Sequence, residues 1–132
     1  MTKYIIKTEV ESSSNKDKYS MFVGRWQPWH SGHRWLIDQR LSLGKKVLLC
    51  IRDVEVDEKN PFSTEWVVSN LQKELSDLIE NGLVKLQVIP DIESINFGRG
   101  VGYDIIEHVP PADVSNISAT KIREQMRSEG KL

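Results

Sequence analysis

His30 and His33 stand three residues apart with Gly32 between them, just after the loop Arg25-Trp-Gln-Pro-Trp29. An apolar run from Tyr19 to Gly24 precedes this loop, and a helical pattern follows it. At a helix start the backbone N–H groups are unpaired and carry roughly half a positive charge. Phosphate binds there readily, and Gly32 leaves the backbone bare for a close approach. Two imidazoles at this spacing can face one ligand as donors, and Arg25 and Arg34 add charge nearby. A triphosphate suits such a point. When an acceptor phosphate attacks the α-phosphorus of a nucleoside triphosphate, the attacking oxygen is already ionised at neutral pH, so no general base is needed. Catalysis then reduces to positioning, and to stabilising charge on the α-phosphoryl oxygens and the departing pyrophosphate. The competing readings of the pair are an incidental spacing and a zinc site, for which only Cys50 and His108 remain as further His or Cys ligands.

A second cluster is Ile117-Ser-Ala-Thr-Lys-Ile-Arg123. Ser118 is a natural N-cap, and a capping box would place Glu or Gln where Lys121 stands. Ser118, Thr120 and the first-turn amides therefore present donors, while Lys121 and Arg123 add charge, which makes a second anion-binding helix start. A plain capped terminal helix is the alternative.

The elements that must position these residues follow from periodicity. Tyr19–Gly24, Lys46–Arg52 and Val84–Ile89 read as strands, the second a nearly continuous apolar run of the kind found inside parallel sheets. His33–Leu43 reads as a helix with Trp35, Leu36, Gln39 and Leu43 recurring near helical spacing and Gly44 ending it. Ser63 caps a second helix whose apolar face is Val67, Val68, Leu71, Leu75, Leu78 and Ile79, ended by Asn81-Gly82. Tyr103–Val109 is expected as a fourth strand, and Ser118 opens a last helix with Ile122 and Met126 on one face. This alternation is that of a doubly wound parallel α/β sheet, in which ligands bind beyond the carboxyl ends of the strands. Both the His30–His33 loop and Arg52-Asp53 fall on that edge.

The chain has 132 residues, which predicts a single small domain over 19–132 behind an N-terminal extension, 1–18, containing a Tyr4-Ile5-Ile6 strand and a mobile serine tract. Apolar content of 39% and charged content of 28% describe an ordinary soluble protein. A net charge of −1 gives no general pull toward nucleic acid or membrane, so a bound anion must be held by local cations. The lone Cys50 excludes an intrachain disulfide and is expected in a buried strand. No signal-peptide or membrane-spanning pattern occurs, which fits a cytoplasmic protein. Gly98-Arg-Gly-Val-Gly102 lacks the third glycine of a dinucleotide fingerprint and reads as a loop, from which Arg99 can grip an acceptor phosphate. Arg52 is a further acceptor-binding candidate. Trp26 and Trp29 can cover a base or pack on the sheet, and the charged run Asp53–Lys59 reads as a solvated loop or flap.

Taken together, His30-Ser-Gly-His33 resembles the HxGH signature of the nucleotidylyltransferase superfamily, and Ile117–Arg123 resembles its ISSTxIR signature, in the same order and placement. Gly24-Arg-Trp-Gln-Pro-Trp-His30 is similar to the GRFQPFH form of archaeal-type nicotinamide mononucleotide adenylyltransferases, as are Asn60-Pro-Phe-Ser63 and Ile89-Pro-Asp-Ile92 to later segments. The resemblance implies a Rossmann-like, three-layer α/β/α fold. It also implies transfer of a nucleoside monophosphate from ATP or CTP to a phosphorylated small-molecule acceptor, with Mg²⁺ assisting. It makes His30, His33 and Arg123 catalytic and places Gly24, Arg25, Trp26, Gly32, Ser118, Thr120 and Lys121 on the nucleotide. Glu93–Asn116 is shorter than the adenylyltransferase pattern and closer in length to glycerol-3-phosphate cytidylyltransferase. The base and the acceptor stay open between these, as does a non-catalytic nucleotide-binding module. A homo-oligomer is an option by analogy with the family.

Overall fold

The strands form where the apolar runs fall. In the computed structural model, which describes residues 16–100 and 102–132, β1 spans Tyr19–Gly24, β2 spans Lys46–Asp53 and β3 spans Val84–Pro90. All pair in parallel in the order β1-β2-β3, with Phe22 opposite Leu49 and Leu49 opposite Leu86. Helix α1 (Ser31–Leu41) connects β1 to β2, while α2 (Thr64–Glu74) and α3 (Ser76–Glu80) connect β2 to β3. Helices α4 (Ala112–Ser115) and α5 (Ala119–Ser128) close the chain. This is a small Rossmann-like α/β domain with a parallel sheet and flanking helices, as expected. The N-terminal strand and serine tract expected within 1–15 lie outside the described residues.

Register explains where the core sits. Side chains alternate along a strand, and Phe22, Val47, Leu49, Ile51, Val84, Leu86 and Val88 all share one sheet face. They cluster with Ile37 of α1, with Val67, Val68, Leu71 and Leu75, and with Met126 of α5. The opposite face is open to solvent at Met21, Lys85 and Gln87. Cys50 on that face is nevertheless fully buried, and burial raises its thiol pKa.

Four expectations change. The helix expected from His33 begins at Ser31, because the His30 imidazole itself serves as the cap. Its core-facing line is His33, Ile37 and Leu41, four apart, rather than the Trp35–Leu43 set; Leu43 lies beyond the helix and is 63% exposed. The second helix breaks at Leu75 into α2 and α3. The fourth strand is absent among the described residues: 103–110 have no regular structure, and Tyr103, Ile105, Ile106 and Val109 are exposed. Apolar alternation makes a strand only where a neighbouring ladder accepts its N–H and C=O groups. The three-layer form needs a return strand–helix unit across the open face, and the described residues do not contain one. No helix among the described residues is long and apolar enough to cross a membrane.

Candidate active site

The site is built where β1 hands over to α1. His30 takes an extended backbone (φ −144°, ψ 177°) and its Nδ1 accepts from the N–H groups of Gly32 at 3.0 Å and His33 at 3.4 Å. His33 answers with its own Nδ1, which accepts from the His30 N–H at 3.2 Å. This is a capping box made of imidazoles in place of a hydroxyl and a carboxylate. The two rings stack at 3.6 Å.

The box fixes the chemistry of both rings. A neutral imidazole that accepts at Nδ1 carries its proton on Nε2, so each histidine keeps an Nε2–H donor outside the box. Burial, then the charge of His30, pushes the His33 pKa down to about 3. Burial also lowers His30. Protonating either Nδ1 would break the cap, which acts in the same direction. The pair thus offers neutral donors at neutral pH.

Trp26 supports His33 from below. It sits at φ 52°, a left-handed conformation that a residue with a bulky side chain rarely adopts and that costs on the order of 1–3 kcal/mol. Its indole is held by an Nε1–H bond to the Cys50 carbonyl at 3.0 Å and packs edge-on against His33, 4.9 Å between ring centres. Gly24 is required by this arrangement, since a Cβ there would stand 2.8 Å from the indole. A Cβ at Gly32 would meet the His30 ring at 2.9 Å. Both glycines, expected beside the nucleotide, make room for a side chain of the protein itself.

Gln27 ties the loops together. It is buried, and its amide exchanges two bonds with the Phe62 backbone, Nε2 to the carbonyl at 2.9 Å and the Phe62 N–H to Oε1 at 3.0 Å. Its own carbonyl accepts from Arg123 Nη1 at 2.6 Å, across 96 residues of sequence. The β1–α1 loop, the β2–α2 loop and α5 therefore meet at one residue. Gln27 carries no chemical signal of its own in the sequence; its place inside Gly24–His30 is the available one.

Helix α5 starts as expected, with Ser118 Oγ accepting from the Lys121 N–H at 3.1 Å. Arg123 is 9% exposed, and burial, then the charges of Arg127 and Arg25, lower its pKa. Its Nη2 reaches Thr120 Oγ1 at 3.4 Å. The two helix starts converge: Ile117 Cβ lies 3.7 Å from where a Gly32 Cβ would stand.

Between them lies a cavity of ≈ 290 Å³ lined by Gly24, Arg25, Trp26, Gln27, His33, Arg52, Lys59, Ala119 and Arg123. The lining holds four cationic side chains and no carboxylate. Arg52 is partly neutralised by Asp91 at 2.7 Å and also reaches the Ile92 carbonyl. Lys59 comes from the run read as a solvated loop, and its neighbour Asn60-Pro-Phe-Ser63 was the sequence clue. Of the other candidates, His30, Gly32, Ser118 and Thr120 stand at the two helix starts but outside the lining, Lys121 has an exposed side chain outside it, and Arg99 is exposed on the connecting segment and does not reach the cavity. Among the described residues no group of three His, Cys, Asp or Glu is placed to hold a metal ion.

No family model matches the chain. A search of curated proteins finds a nicotinamide-nucleotide adenylyltransferase from Thermococcus onnurineus (strain NA1), 29% identical over 115 residues. The match covers 86% of this chain and 60% of that protein, so the chain spans about three fifths of the length of this curated relative. The similarity supports a nucleotidyltransferase relationship.

Proposed function

We propose that the chain transfers a nucleoside monophosphate from a nucleoside triphosphate to a phosphorylated small molecule, releasing pyrophosphate. The carrying observation is the convergence of the neutral imidazole of His33, a helix start and four cationic side chains on one carboxylate-free cavity, with His30 stacked on His33 beside it. An acceptor phosphate oxygen forms the new bond to the α-phosphorus as the bond to the bridging oxygen breaks. His30 and His33 donate to the oxygens that gain charge, and Arg25, Lys59 and Arg123 hold the polyphosphate. Neutral donors suit this task, because each keeps its proton through the reaction. Since the lining holds no carboxylate, magnesium enters as part of the metal–triphosphate substrate, bound by phosphate oxygens.

The curated relative's name favours ATP as donor and nicotinamide mononucleotide as the first acceptor to assay. CTP with glycerol 3-phosphate is the comparison, given the compact connecting segment. A pyrophosphate-release assay crossing ATP and CTP with these acceptors, phosphocholine, phosphopantetheine and sugar phosphates tests the reading. Release with one pair supports it. Triphosphate binding without release in any pair would favour a binding module, a reading motivated by the strandless and mostly exposed segment at 103–110.

A further inference from the structure

Helix α5 reaches the cavity walls through two arginines. Arg123 holds the β1–α1 loop at the Gln27 carbonyl. Arg127, one turn on, donates from Nη2 to the Glu58 carbonyl at 2.7 Å. Residues four apart share a helix face, so one side of α5 grips both loops that line the cavity.

Glu58 lies in a turn that is bonded to itself. The Asp57 N–H donates to the Asn60 carbonyl at 3.0 Å. Asp57 Oδ1 accepts from the N–H groups of Lys59 at 2.9 Å and Asn60 at 2.7 Å, and from Asn60 Nδ2 at 3.0 Å. A turn closed this way moves as a body. The loop around it is anchored at its base, where Thr64 Oγ1 donates to Asp53 at 2.7 Å and Phe62 pairs with Gln27. Among the described residues, the hydrogen bond joining residues 55–60 to another element is the one from Arg127 to Glu58.

Lys59 adjoins Glu58 and lines the cavity with Arg25, Arg52 and Arg123. Like charges in one cavity repel, and a flexible lysine released from its turn would move toward water. We propose that Arg127 is a positioning residue: it tethers the 57–60 turn so that Lys59 stays in the cavity before a polyphosphate arrives. The inference deepens the triphosphate-site reading and rests on it, because the benefit of the tether is a preorganised cation.

The test compares wild type, Arg127→Gln, Arg127→Lys, Lys59→Gln and the Arg127→Gln/Lys59→Gln double variant. Amide hydrogen exchange is measured in the ligand-free protein, and affinity is measured for magnesium-ATP. Arg127→Gln should speed exchange at Lys59 and Asn60 by about tenfold while leaving α1 unchanged, and should weaken ATP binding about tenfold. Arg127→Lys should recover most of both effects. The double variant should bind ATP no worse than Lys59→Gln, since the tether acts through that lysine. Unchanged exchange in Arg127→Gln overturns the proposal, and so does an ATP effect that adds in full to that of Lys59→Gln. A wild type that does not bind ATP overturns the triphosphate reading and the role given to Lys59, whereas faster exchange in Arg127→Gln would still establish the tether.

Discussion

The two ends of the sheet's carboxyl edge are built on different terms. Around His30 and His33 the backbone is closed by side-chain hydrogen bonds, local and distant: His30 and His33 cap each other, Trp26 reaches Cys50, Gln27 bonds Phe62 and receives Arg123. The connecting segment beyond Asp91 is the reverse. It forms no strand, and Ile95, Phe97, Tyr103, Ile105, Ile106 and Val109 stand in solvent. Precise donor geometry needs side chains locked by packing and by further hydrogen bonds. The first region has that support throughout, whereas the second has little of it, chiefly Arg52 on the Ile92 carbonyl and His108 stacked on Phe22, so the first is where donor geometry can be fixed.

The sharpest way to break this contrast is His33→Ala. Losing one preorganised donor should lower kcat by on the order of a hundredfold or more, about 3 kcal/mol, with a smaller change in triphosphate affinity. Steady-state kinetics with the best substrate pair checks it, and an unchanged kcat would remove the histidines from the reaction. Next in size is Gly24→Ala. A methyl 2.8 Å from the Trp26 indole must displace a buried ring, so denaturant unfolding should show a loss of about 1–3 kcal/mol.

A smaller effect concerns pH. The folded His33 resists protonation down to about pH 3, while the unfolded chain takes up the proton near its ordinary value of 6.5. The unfolded state therefore binds more protons in that interval, and stability falls as pH drops from 6.5 toward 3. Between pH 7 and pH 5 the loss should reach up to about 2 kcal/mol, and His33→Gln should flatten the profile measured by urea unfolding. Smallest of all, Ile105→Ser on the connecting segment should change stability by no more than about 0.5 kcal/mol. A large loss there would mean that the segment is packed and the contrast is false.

Much of the fold was legible because it is local. The three apolar runs became the three strands, and Ser63 and Ser118 became the caps of α2 and α5. The misreadings have particular causes. His30 was not expected to cap because imidazole is an uncommon cap, and with it as the cap α1 starts two residues earlier than expected. Residues 103–109 have a strand's composition but no neighbouring ladder, and pairing is not a property of a segment alone. Of the candidate site, spacing and signature singled out His30, His33 and Arg123, and the structure brings His33 and Arg123 to one cavity. Gln27 and Lys59 were not singled out, because they owe their places to loops that meet across long stretches of chain.

In the proposed reaction both helix starts serve one polyphosphate. Nitrogen-detected NMR of the imidazoles, with the amide of Ala119 followed in the same titration with magnesium-ATP, tests it most directly. The His30 and His33 Nε2–H signals and the Ala119 amide should shift together along one saturation curve. Imidazole signals that stay still while ATP binds, or two curves with different midpoints, would contradict it.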